Sequence, residues 1–146
     1  MKFSTPIVCD DIRREVGNKR SLIGVYSDRI IFNPSITAKN FPMQMQLGVY
    51  LIGEWEDLDK PMESFDCNIY ISDPAGKAAN KNIFLLKGRV QDKGNPIIIF
   101  DFVFRCDIPY VGRLKMLLRV FNDSDEIGRW DNNLIDLVFQ EPASKH

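Results

Sequence analysis

The feature that most constrains this chain is strict alternation of apolar and polar residues, renewed in segment after segment. In "MQMQLGVYLIGEW", Met43, Met45, Leu47, Val49, Leu51 and Trp55 share one parity, and Gln44, Gln46, Tyr50, Glu54 and Glu56 the other. "FDCNIYIS" repeats this with Phe65, Cys67, Ile69 and Ile71 against Asp66, Asn68, Tyr70 and Ser72. "GRLKMLLRV" sets Leu114, Met116, Leu118 and Val120 opposite Arg113, Lys115 and Arg119. Successive side chains of a strand point to opposite faces, so a period of two predicts strands with one dry and one wet face. No window of eleven or more residues carries a helical stripe.

Turn chemistry separates the runs. "DPAG" at 73–76 has the Asp, Pro and Gly placement of a type I turn. "DKGNP" at 92–96 divides "NIFLLKGRV" from "IIIFDFVF", and "NDSDE" at 122–126 closes a hairpin. Prolines 34, 42, 61, 74, 96, 109 and 142 fall between runs or at their ends, where a missing N–H costs no ladder bond. The expectation is one all-β domain over 1–146, an antiparallel two-sheet β-sandwich, immunoglobulin-like or similar, of seven or eight strands. A β-barrel is the alternative, since periodicity is the same in both.

A chain of 146 residues is long enough for one core without staples. Its 19 basic and 20 acidic residues give no field that would favour nucleic acid or an anionic membrane. "MKFSTPIVCDD" lacks the apolar stretch of a signal peptide, and Asp101 interrupts the longest apolar run, "NPIIIFDFVF", far below membrane-spanning length. Cys9, Cys67 and Cys106 are odd in number and widely spaced, which suits thiols in a reducing compartment. A cytoplasmic location is expected.

Charge is densest in the opening stretch, "CDDIRREVGNKRSLIGVY" at 9–26. As a strand it carries Ile7, Cys9, Asp11, Arg13 and Glu15 on one face and Val8, Asp10, Ile12, Arg14 and Val16 on the other. Gly17 and Asn18 form a turn dipeptide, and "RSLIGVY" returns antiparallel. That places Lys19 and Arg20 near Glu15 and Arg14, with opposite charges expected where the strands meet. A short helix capped by Asp10 is the lesser alternative. Asp10, Asp11, Arg13, Glu15 and Lys19 are the candidate binding residues. Against that stands the plainer reading, a charged hairpin whose side chains pair among themselves.

The order D-D-x-R-x-E, G-x-K, S-L-x-G-x-Y, here Asp10, Asp11, Arg13, Glu15, Gly17, Lys19, Ser21, Leu22, Gly24 and Tyr26, resembles the opening of a family of short, uncharacterised bacterial and phage proteins. "FP" at 41–42 and the late hairpin "GRLKMLLRVFNDSDE" fit the same outline. The resemblance implies an all-β sandwich in a bacterial or phage setting. It carries no established activity, and so no catalytic residue.

Histidine occurs once, as His146, which removes the commonest general base and zinc ligand from any interior site. Phosphate-binding glycine motifs and a G-x-S-x-G elbow are missing from the sequence. Carboxylate chemistry remains open through Glu54, Glu56, Asp57 and Asp59 in "EWEDLD" and Asp123, Asp125 and Glu126 in "NDSDE". Such loops suit calcium if they are neighbours, although the spacing is not that of an EF-hand. Lys87 and Arg89, with Arg113, Lys115 and Arg119, would make a basic face if their strands were adjacent.

The expected function is a non-catalytic binding or assembly module acting through protein–protein contacts or self-association, without a cofactor. The alternative is a calcium-dependent or carboxylate-based module. All three thiols should be reduced in the native protein. Intact mass measured without reductant checks this, and a mass two hydrogens low, showing an intramolecular bridge, would contradict it.

Overall fold

The alternating segments form strands in the computed structural model, which describes residues 1–17, 19–56, 63–72, 78–89 and 96–141; within 78–89 it describes the backbone and the side chain of Leu85. The strands are β1 (Lys2–Phe3), β2 (Ile7–Arg14), β3 (Arg20–Tyr26), β4 (Arg29–Phe32) and β5 (Met43–Glu54). They continue with β6 (Ser64–Ser72), β7 (Ala78–Arg89), β8 (Ile97–Ile108), β9 (Gly112–Asn122) and β10 (Asp125–Phe139). Ten strands among the described residues exceed the expected seven or eight, because β1 and β4 are too short for a periodic signal.

The strands make two mostly antiparallel sheets that pack as a sandwich, and neither closes into a barrel. In the first sheet β5 pairs with β8 along its whole length, and its other edge takes β1 and then β2, which continues to β3. The second runs β4-β10-β9-β6-β7, and its β4–β10 pairing is parallel. The alternation explains the packing. Leu47, Val49 and Leu51 of β5 and Phe100, Phe102 and Phe104 of β8 are buried, as are Cys67, Ile69 and Ile71 of β6 and Leu114, Met116 and Leu118 of β9. Phe65 of one sheet meets Phe100 of the other at 5.3 Å between ring centroids. At one end of the sandwich Phe41, just before Pro42, packs against Phe32, Tyr110 and Phe139.

Two sequence expectations change here. Trp55 lies just past β5 rather than on its apolar face, and its N–H donates to the Pro96 carbonyl at 2.7 Å. The five cations do not form one stripe, because β6 lies between β7 and β9. Alternation assigns a residue to a face but says nothing about which strands are neighbours. The "DPAG" turn and residues 92–95 of "DKGNP" fall outside the described residues, while the "NDSDE" hairpin forms with Asp125 opposite Asn122.

Cys67 and Cys106 sit in this core, and Cys9 is buried outside it, against Gly48 of β5. Burial pushes Cys67 and Cys106 up to about 12, and raises Cys9 as well, so all three stay protonated near neutral pH. Phe102 tests the packing most directly, since it is buried beside Phe104 at the centre of β8. Phe102→Ala should lower stability by about 3–5 kcal/mol in chemical denaturation. A variant that unfolds like the wild type would contradict the facing assigned to β8.

Candidate functional site

The opening stretch is a β-hairpin: Val8 faces Tyr26, Ile12 faces Leu22 and Arg14 faces Arg20. Gly17 has a positive φ of 77°, and the Glu15 N–H donates to the Lys19 carbonyl at 2.8 Å, closing the loop. Asn18 lies outside the described residues. β2 pairs with β5 only from Ile7 to Cys9, and the rest of the hairpin leaves that ladder.

Two contacts show where it goes. A side chain at Gly48 would run into Cys9 Sγ at 2.8 Å and Ile12 Cγ1 at 3.0 Å, so the hairpin lies directly on bare β5 backbone. Further out, Arg20 Nε donates to Asp101 Oδ2 at 2.7 Å and Arg14 donates to Asp101 Oδ1 at 3.4 Å. Asp101 alternates with the core residues Phe100 and Phe102, so it stands on the outer face of the first sheet. Its side chain is only 6% exposed; that of Arg20 is 20% exposed and that of Arg14 75%.

This corrects the expected pairing. The expected neighbours are in place, Arg14 opposite Arg20 and Glu15 beside Lys19. Among the described residues, however, no ion pair joins side chains across the hairpin, and Glu15 bonds Ser21 instead. Like charges directly across a ladder repel. The compensating anion comes from β8, some eighty residues along the chain by the spacing of Arg20 and Asp101. No local pattern could have shown this, although an aspartate inside "IIIFDFVF" was a visible oddity.

The other candidate residues occupy definite places. The Tyr26 hydroxyl donates to the Asp10 carboxylate, and burial with that bond pushes the phenol up to about 12. Gly24, at φ 66°, leaves the space that the Asp10 carboxylate fills. Asp10, Gly24 and Tyr26 of the opening signature are therefore one packed unit. Asp11 accepts from the N–H of Ile12 at 2.9 Å, and Glu15 accepts from the Ser21 hydroxyl at 3.2 Å. Arg13 and Lys19 are exposed, and neither has an ion-pair partner among the described residues. The structure thus joins Asp10 to Tyr26 and Glu15 to Ser21, and does not gather the five candidates into one cluster.

Of the late carboxylates, Glu126 is engaged. Glu126 accepts from Arg119 and Arg129, at 3.1 Å and 2.8 Å in the closest contacts. Those bonds hold its carboxyl down at about 2. Arg119 also stacks over Phe121 at 4.9 Å, and Arg113 binds Asp136 at 2.8 Å. The two arginines of β9, Arg113 and Arg119, are therefore paired within their own sheet. Asp57 and Asp59 lie outside the described residues. Asp66, Asn68, Phe121, Asp123 and Ser124 border an open hollow of about 470 Å³ beside the β9–β10 turn. Among the described residues no three His, Cys, Asp or Glu side chains are grouped to hold a metal.

No family model matches this chain, and no curated protein matches it. The geometry must carry the functional reading alone.

Two measurements follow. Arg20→Ala should lower stability by about 1.5–3 kcal/mol, as removal of a charged hydrogen bond does. Arg14→Ala, Arg13→Ala and Glu15→Ala should each cost about 1 kcal/mol or less, being exposed. Equal losses at Arg14 and Arg20 would show that Asp101 does not hold them as described. For Glu126 the folded pKa is depressed, so its contribution is present above the ordinary carboxylate range and lost as pH falls toward about 2. Glu126→Gln should flatten the acid limb of the stability profile between about pH 4.5 and pH 2, and an unchanged limb would contradict the assignment.

Proposed function

We propose that the chain is a non-catalytic protein-binding or assembly module that works through the β8 edge of its first sheet. The observation that carries this reading is the exposure of β8. One edge pairs with β5 over twelve residues, and no strand among the described residues pairs with the other. Its outward residues Ile97, Ile99 and Val103 are each at least 37% exposed. Unpaired edges are ordinarily blunted by proline, lysine or a bulge. β8 contains no proline and no lysine, and its pairing with β5 runs without a register shift. A strand of this kind binds an extended partner by adding it to the sheet.

The charged residues of the opening hairpin fit this reading as structural elements. Asp10 positions Tyr26, Glu15 supports the turn through Ser21, and Arg20 pins the hairpin to Asp101. The bacterial or phage setting and the cytoplasmic location suggested by the sequence belong to the same proposal. That no helix among the described residues is long and apolar enough to cross a membrane is consistent with a partner that is not a lipid bilayer.

Site-specific photo-crosslinking tests the reading. A photoreactive residue in place of Val103 should give discrete protein adducts in cells, identified by mass spectrometry as the chain itself or another protein. The same residue in place of Arg13 should give none. Adducts from position 13 and not from 103 would make the opening hairpin the recognition surface and end the β8 reading.

A further inference from the structure

We infer that the strand received by β8 is the β8 of a second copy, paired antiparallel about a twofold axis at Val103. This rests on the β8 reading above and names the partner. Two considerations select it. The first is the backbone: no strand among the described residues pairs with this edge, and N–H and C=O groups along such an edge suit an extended strand. The second is the order of side chains along β8.

In a twofold antiparallel pair, directly opposed residues share a face, so outward residues meet outward residues. The outward positions read Ile97, Ile99, Asp101, Val103, Arg105 and Asp107. An axis at Asp101 would oppose two aspartates, and an axis at Arg105 two arginines. An axis at Phe104 would set Asp101 against Asp107 of the other copy. An axis at Phe102 avoids like charges but leaves Asp101 against Val103 and Arg105 against Ile99, charges without an opposite, whereas the axis at Val103 leaves only Asp107 against Ile99. An axis at Val103 sets Asp101 against Arg105 of the second copy, twice by symmetry. It also places Phe102 against Phe104 on the inward side, so the apolar layers of the two copies join.

Arg105 is exposed and has no ion-pair partner among the described residues, so it is available for that contact. Asp101 is held firmly by Arg20 at 2.7 Å and loosely by the exposed Arg14 at 3.4 Å, so Arg14 is the group that yields to the incoming guanidinium. Like-charge juxtaposition excludes alternative registers more strongly than a favourable pair selects one. Val103 at the axis is 40% exposed in the single chain and covered in the pair.

The test uses the purified chain in sedimentation equilibrium, with two cysteine variants and one lysine variant. The wild type should show concentration-dependent mass approaching twice that of the chain. Val103→Cys should form an intermolecular disulfide on mild oxidation, because the two thiols meet at the axis, whereas Ile99→Cys should not. Val103→Lys, which places two ammonium groups face to face, should remain monomeric with an unchanged circular dichroism spectrum and a melting temperature that no longer depends on protein concentration. A wild type that stays monomeric at its highest soluble concentration overturns the inference. If position 103 still crosslinks to a different protein in cells, the broader binding reading survives that result. Crosslinking through position 99 in place of 103 also overturns it, by excluding the register from which it was drawn.

Discussion

A carboxylate almost closed off from water, in the middle of an apolar strand, is costly unless cations meet it. Asp101 is such a group, and the way it is met fixes the path of the first thirty residues. Arg14 and Arg20 face each other across the opening hairpin, an arrangement that would repel if left alone. Lodged against Asp101, they become the clamp that draws the hairpin off the β5 ladder and over the outer face of the sheet. Gly48 provides the bare backbone on which Ile12 and Cys9 rest, and Gly24 gives the Asp10 carboxylate its space. Two ion pairs to one carboxylate and two missing side chains thus act together in seating the hairpin.

The two sheets were legible in the sequence because burial imposes a period of two, which survives in Met43–Leu51, Phe65–Ile71 and Leu114–Val120 as plain alternation. Strand order was not legible. Lys87 and Arg89 look like companions of Arg113 and Arg119 until β6 is found between them. Neighbour relations depend on where connections lead, and a connection leaves no periodic trace. The short strands β1 and β4 escaped notice for a related reason, since two or four residues cannot display a period.

The candidate site divides along the same line. The hairpin and its turn were visible in local chemistry, from Gly17 and the flanking alternation. The partners of its charges were not, because Arg20 finds Asp101 across the sheet, while Glu15 finds the uncharged Ser21. Charge complementarity read over a few residues assumes that nearby groups pair with one another. Here the decisive anion lies far along the chain, and only its odd placement among isoleucines and phenylalanines hinted at a purpose.

The parallel pairing of β4 with β10 bears on the order in which the molecule can assemble. Arg29 lies beside Asp136, so one border of the second sheet is fixed only when the segment through β10 has been made. β10 also lies between β4 and β9, so β4 cannot join that sheet before it. Closing so distant a contact is entropically slow, and it follows the local hairpins. During synthesis the opening hairpin can form early, whereas Ile30 and Phe32 keep their apolar faces without cover until β10 emerges. The chain is therefore most exposed to misassociation in the interval between the synthesis of β4 and that of β10.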